Sequence, residues 1–148
     1  MKTLICILLS FVLLLSPYEN FFKTDYIDSI FVYTTENLNV PNVTSIKSGK
    51  GYILSCDGNY INNLYQMLDK SKIVGISCEV DNLNLDEFIN RFDLKIRLQE
   101  KIDSIEFIYG YSHKLSKFVT VDNEKINIQI AKVGKRIKIG YPLILDSA

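Results

Sequence analysis

The chain has 148 residues with 17 basic and 17 acidic side chains, a formal charge of zero, and 47% hydrophobic against 23% charged residues. That is the composition of one folded domain, and it excludes an intrinsically disordered chain. A neutral balance leaves no surplus of Lys and Arg for neutralising phosphates, so nucleic acid is disfavoured as a partner; one His and three Cys offer few metal ligands, and no cofactor is predicted.

Residues 1–16 begin with Lys2 and continue into a charge-free run over residues 4–15, where only Ser10 is clearly polar. As a helix this run covers about 18 Å, short of a hydrocarbon core of roughly 30 Å. It predicts a signal peptide or, extended past Pro17 towards Phe21 and Phe22, an uncleaved membrane anchor. In both cases the folded part, residues 24–148, is predicted to lie outside the cytoplasmic membrane, secreted or held on its outer face.

Short segments rich in Ile, Val, Phe and Tyr predict strands at 27–34, 51–56, 73–80, 94–98, 103–109, 117–121, 126–132 and 136–140. Gly49, Lys50 and Gly51 read as a hairpin turn rather than a phosphate loop. Ile61, Leu64, Tyr65 and Leu68 at helical spacing predict a helix over 59–70. Leu85, Phe88, Ile89 and Phe92 predict a second over 83–92, with Asn84 as N-cap and Glu87 three residues later. In the segment after Lys125, Ile126, Ile128 and Ile130 alternate with Asn127 and Gln129, the pattern of a half-buried antiparallel strand with both amides on its polar face.

The tetrapeptide Ile-Asp-Ser-Ile occurs at 27–30 and again at 102–105, each time leading into an aromatic strand, a Val-Thr pair and a second alternating strand. This ordered match suggests a diverged internal repeat over 27–56 and 102–131, with halves 24–98 and 99–148. Its strand equivalences would give Ile30 and Ile105 matching buried positions on the first strand of each copy, and Leu54 and Ile128 on the second. The fold class is α+β: a meandering antiparallel sheet with two helices on one face.

Three stretches near the C-terminus, Ile-Tyr-Gly-Tyr at 108–111, the segment 119–131 and Ile-Lys-Ile-Gly-Tyr-Pro-Leu-Ile at 137–144, resemble the closing part of the YwmB-like family of exported bacterial proteins of unknown function. The resemblance covers roughly a quarter of the chain. It implies a pseudo-symmetric α+β fold likened to the TATA-box-binding protein, and it implies no activity, because a shared fold does not transfer function.

Candidate chemistry is sparse. Cys56 and Cys78 fall on apolar-facing strand positions, as two buried thiols or as a disulfide closing a loop of about 22 residues, worth roughly 3 kcal/mol. His113 sits at a turn beside Ser112 and Ser116 and is the only candidate general base. Asp57, Glu79 and Asp81 lack the spacing of a cation loop. Lys132, Lys135, Arg136 and Lys138 are the main basic cluster, with Arg136 and Lys138 outward against Ile137 and Ile139 inward; together with Tyr109, Tyr111 and His113 they form the candidate binding surface. The leading expectation is a non-enzymatic, exported or membrane-tethered domain that binds a protein or a cell-envelope component. A nucleic-acid-binding module and an exported hydrolase are the alternatives.

Overall fold

Alternation with period two dominates this chain, and strands follow from it. The computed structural model describes residues 27–144; the predicted leader, residues 1–16, lies outside them. The elements are β1 (Ile27–Thr34), β2 (Thr44–Ser48), β3 (Gly51–Asp57), α1 (Ile61–Met67), β4 (Ile73–Asp81), α2 (Leu85–Phe92), β5 (Lys95–Ile102), β6 (Ile105–Tyr111), β7 (Val119–Val121), β8 (Glu124–Ile126), β9 (Ile128–Val133) and β10 (Arg136–Tyr141). Eight strands form one sheet in the order β2-β3-β1-β4-β10-β9-β6-β5, and β7 and β8 pair separately. Every pairing is antiparallel. No helix among the described residues is long and apolar enough to cross a membrane.

One face of the sheet carries the core. Cys56, Ile30, Cys78, Ile139, Ile130 and Ile108 line up across six neighbouring strands, and none is more than 7% exposed. Ile61, Leu64 and Leu68, in and just after α1, join this cluster, as do Phe88 and Phe92 of α2, whose rings lie 4.8 Å apart. The fold is therefore α+β with its two helices on one face, as expected. Asn84 caps α2 by accepting from the Glu87 amide at 3.2 Å. The first helix is shorter than predicted. It ends at Met67 because Leu68 is extended and the Asp69 carboxylate accepts from the Ser71 amide, opening a separate turn.

Several expectations are corrected by the register. β2 was not predicted, since Thr-Ser-Ile-Lys-Ser has a single apolar residue; it is held by pairing with β3 across the Gly49-Lys50 turn, where Gly49 takes a φ of 57°. The two Ile-Asp-Ser-Ile segments adopt different conformations. At 27–30 the tetrapeptide lies within β1, with a register shift between Ile27 and Ser29, whereas at 102–105 it forms the two-residue turn that pairs Ile102 with Ile105. Each copy does lead into an antiparallel pair, β1 with β3 and β6 with β9. Ile30 is nevertheless fully buried and Ile105 only half-buried: an odd step along a strand transfers a side chain to the other face. Residues 98 and 99, where the repeat reading divides the chain, are both inside β5.

The expected position of Asn127 on a polar face is also corrected. Its side chain is fully buried, breaking the predicted 126–132 strand into β8 and β9. Its Oδ1 accepts from the Ser112 amide at 2.8 Å, and its Nδ2 donates to the Ser112 carbonyl at 2.7 Å. Gln129 does lie on the helix-free face, but the chain turns back there and the Ile144 amide donates to Gln129 Oε1 at 2.9 Å. Gly140 permits this return, since a β-carbon there would run into the backbone of Leu143 and Ile144. The disulfide alternative fails as well. Cys56 and Cys78 are free and buried, on strands either side of Ile30, so their Cα atoms are two strand spacings apart, about 10 Å, beyond the reach of a disulfide.

Asn127→Ala removes both halves of the clamp on Ser112 and should cost about 2–4 kcal/mol, with Gln129→Ala nearer 1 kcal/mol. Ile30→Ala should cost about 2–5 kcal/mol and Ile105→Ala clearly less. Urea unfolding of the four variants checks both orders; sensitivity at Ile105 equal to that at Ile30 would contradict this register.

Candidate functional site

The helix-free face of the sheet is closed at one end and open at the other. Tyr33 and Ser77, joined through their hydroxyls at 3.3 Å, are buried at the closed end, where residues 142–144 pass over Gly140. Towards the other end the strands place Phe107, Ala131, Lys138, Glu79 and Ser29 in one row across β6, β9, β10, β4 and β1. Side chains in such a row share a face, so charge and aromatic surface meet there by construction.

Glu79 is the hub of this row. Its Oε1 is 3.6 Å from Lys138 Nζ, its Oε2 is 3.6 Å from Arg136 Nη2, and Ser29 Oγ donates to it at 3.4 Å. Lys138 also lies 4.9 Å above the centroid of the Phe31 ring, and its side chain is only 13% exposed. A lysine this far out of water is held by its carboxylate and ring together. Phe107 and Tyr109 are stacked at 6.5 Å, and the Tyr109 hydroxyl donates to Glu100 at 2.7 Å. Burial, followed by that bond, pushes the Tyr109 phenol up to about 12.

Beside the row is a cavity of about 260 Å³, with Ile105, Ala131 and Val133 as its apolar lining and Asp28, Glu79, Asp81, Arg136 and Lys138 as its charged rim. Asp28 reaches it at the register shift in β1. Partial desolvation and the adjacent Asp81 carboxylate hold the Asp28 pKa above the ordinary carboxylate value, with Arg136 opposing them.

The predicted surface residues do not form one site. Tyr109, Tyr111, Arg136 and Lys138 share the helix-free face. Lys132 alternates to the opposite face beside Ile137, and Lys135 occupies the Gly134-Lys135 turn. His113 lies at the far end, its Nδ1 3.4 Å from Asp93 Oδ2, with both side chains well exposed. Ser112 is no nucleophile for it, because its buried hydroxyl donates to the Phe92 carbonyl and accepts from the Lys114 amide. Asp57 and Glu79 stand on opposite sides of Ser29, facing away from the two thiols, and no group of three His, Cys, Asp or Glu able to hold a metal ion occurs among the described residues. Burial, then neighbouring carboxylates, push the Cys56 thiol up to about 11 and the Cys78 thiol up to about 12, which leaves both unreactive.

Sequence reasoning missed Phe31, Phe107 and Asp28, and weighed Glu79 only as a cation ligand. A usable signal for Phe107 was its parity with Tyr109 on an alternating strand. No such signal marked Glu79, whose role depends on β4 lying beside β10.

A scan of family models finds no match to the chain, and a search of curated proteins finds no similar one.

Because folding raises the Asp28 pKa, ionisation of this group opposes folding. The penalty is absent below the unfolded-state value and complete once pH exceeds the raised folded value. Asp28→Asn should therefore raise Tm at pH 7, and the gain should vanish on acidification below the ordinary carboxylate range. Thermal melts at the two pH values check this; an equal gain at both would assign it to something other than charge.

Proposed function

We propose that this chain is a non-enzymatic binding domain, exported or tethered at the outer face of the cytoplasmic membrane, that holds a protein of the cell envelope on the open part of its helix-free sheet face. The observation that carries the reading is the cavity beside the Glu79 row, with an apolar lining at Ile105, Ala131 and Val133 and charges of both signs on its rim. Such a surface suits a protein partner that inserts an apolar side chain and satisfies the rim with polar groups, as the cores and rims of protein interfaces do.

The location rests on the charge-free run over residues 4–15 behind Lys2. The likeness of the C-terminal segments to the YwmB-like exported proteins belongs to the same proposal. Nucleic acid fits this face poorly, since Lys138 and Arg136 are both turned onto Glu79 and few cations remain there for phosphate.

A photo-crosslinking amino acid in place of Phe107, in the full-length chain in its own cell, should give a discrete protein adduct that Ile105→Asp abolishes. The same reagent at Asn62, on the exposed side of α1, should give none. Equal labelling from both positions, or an adduct that survives Ile105→Asp, overturns the site. Protease added to intact wall-stripped cells should digest the domain; full protection in the soluble cytosolic fraction overturns the location.

A further inference from the structure

At one end of the sheet two neighbouring hairpins have polar two-residue turns, Asp103-Ser104 and Gly134-Lys135, but apolar residues at strand positions beside them. The β5–β6 hairpin closes through Ile102 and Ile105, and the β9–β10 hairpin through Val133 and Arg136. Glu106 pairs with Lys132, so one step further along the strands Ile105 comes opposite Val133. Ile102, Ile105 and Val133 thus form one apolar row on the helix-free face, spanning about 10 Å between its outer members. Ile102 is 53% exposed and Val133 43%. Gly134 adds no bulk at the second tip: a β-carbon there would meet nothing within 4 Å.

Charge accompanies this row. The tips and the strand ends feeding them contain Lys101, Lys132, Lys135 and Arg136 against Asp103 and Glu106, a surplus of two cations. The neighbouring strand ends of β1, β3 and β4 carry Asp28, Asp57 and Asp81 instead. This end of the molecule is therefore positive and apolar under the hairpins and negative beside them. It is also the end at which β1 begins, since Ile27 pairs with Val80 and Val80 with Ile137. The eleven residues between Leu15 and Ile27 span at most roughly 40 Å, so a bilayer holding the apolar run 4–15 lies within that reach of Ile27, itself about 10 Å, two strand spacings, from the start of β10.

We propose that the hairpin tips at 102–105 and 133–136 rest on the anionic phospholipid surface of the membrane, with Ile102 and Val133 in the headgroup–acyl boundary and Lys101, Lys132 and Lys135 among the phosphates. Apolar burial and attraction to anionic headgroups act together at such contacts. The acidic strand ends are repelled by the same surface, and the domain tilts onto its hairpin side; the membrane then covers Val133 at one wall of the cavity and leaves Asp28 and Asp81 at the other turned to the solvent. This inference rests on the membrane-tethered form of the proposed function.

The chain contains no Trp, so Val133→Trp and Ile102→Trp each supply a single reporter at an exposed position, and Phe118→Trp supplies one at the opposite end of the sheet. Full-length variants are incorporated into vesicles of phosphatidylethanolamine and phosphatidylglycerol, with and without brominated acyl chains, after thermal melts show each to be folded. The two tip reporters should shift to the blue and lose most of their emission to the brominated lipid, less so in pure phosphatidylcholine, while Phe118→Trp stays unquenched. Chains that float with the vesicles but leave both tip reporters unquenched overturn the tip contact and leave the tether standing. Chains that do not float, with unquenched tips, overturn both. Equal quenching of all three reporters overturns the orientation.

Discussion

Everything in this molecule depends on the pairing of β4 with β10. Six successive residue pairs, from Asp81 with Arg136 to Ile76 with Tyr141, join the four strands before α2 to the four principal strands after it. The pairing also sorts chemistry. Ile76, Cys78, Val80, Ile137, Ile139 and Tyr141 are all turned to the helices and buried, and the alternate residues Glu79, Asp81, Arg136 and Lys138 are turned to the other face. A shift of β10 by one residue would bury Arg136 and Lys138 and expose Ile137, Ile139 and Tyr141, a cost comparable with the total stability of a domain.

The distribution of polar partners follows from that sorting. Where the helix-free face is covered by the chain's own C-terminal segment, its polar groups are satisfied internally, as with Gln129 and the Ile144 amide. Where it is uncovered, charged side chains lie flat against rings and against each other, with Lys138 over Phe31 and beside Glu79. The result is a surface whose charges cancel locally. It favours contact by shape and apolar area over long-range attraction, in contrast with the hairpin tips, where the cations outnumber the acids and lie among exposed aliphatic groups.

Strand alternation was legible because apolar residues recur at period two, as Tyr52, Leu54 and Cys56 and as Val74, Ile76, Cys78 and Val80, and Asn84 with Glu87 marked the start of α2. What was not legible depended on distant neighbours. Asn127 looks like a solvent residue between two isoleucines, and only the loop at Ser112, fifteen residues away, makes it a buried clamp. Ile-Asp-Ser-Ile is extended in one place and a turn in the other because pairing partners, not the tetrapeptide, decide its conformation. The candidate surface was partly legible for a related reason. Arg136 and Lys138 were placed outward correctly by parity, whereas Lys132 lay across an intervening turn that reversed the chain, and grouping it with them by sequence proximity ignored the face it occupies.

The placement of the two thiols bears on how the chain reaches this state. Cys56 and Cys78 are near in sequence, while β1, which was synthesised before both, must lie between their strands with Ile30 filling the space. In an unfolded chain nothing separates the two sulfurs. An oxidant acting at that stage would draw β3 and β4 together and shut β1 out of the sheet, producing a covalently trapped species that native contacts could not repair without reduction. Insertion of β1 is thus a kinetic gate: once it is complete the sulfurs are out of each other's reach and buried, and the folded domain is indifferent to the redox poise of its compartment.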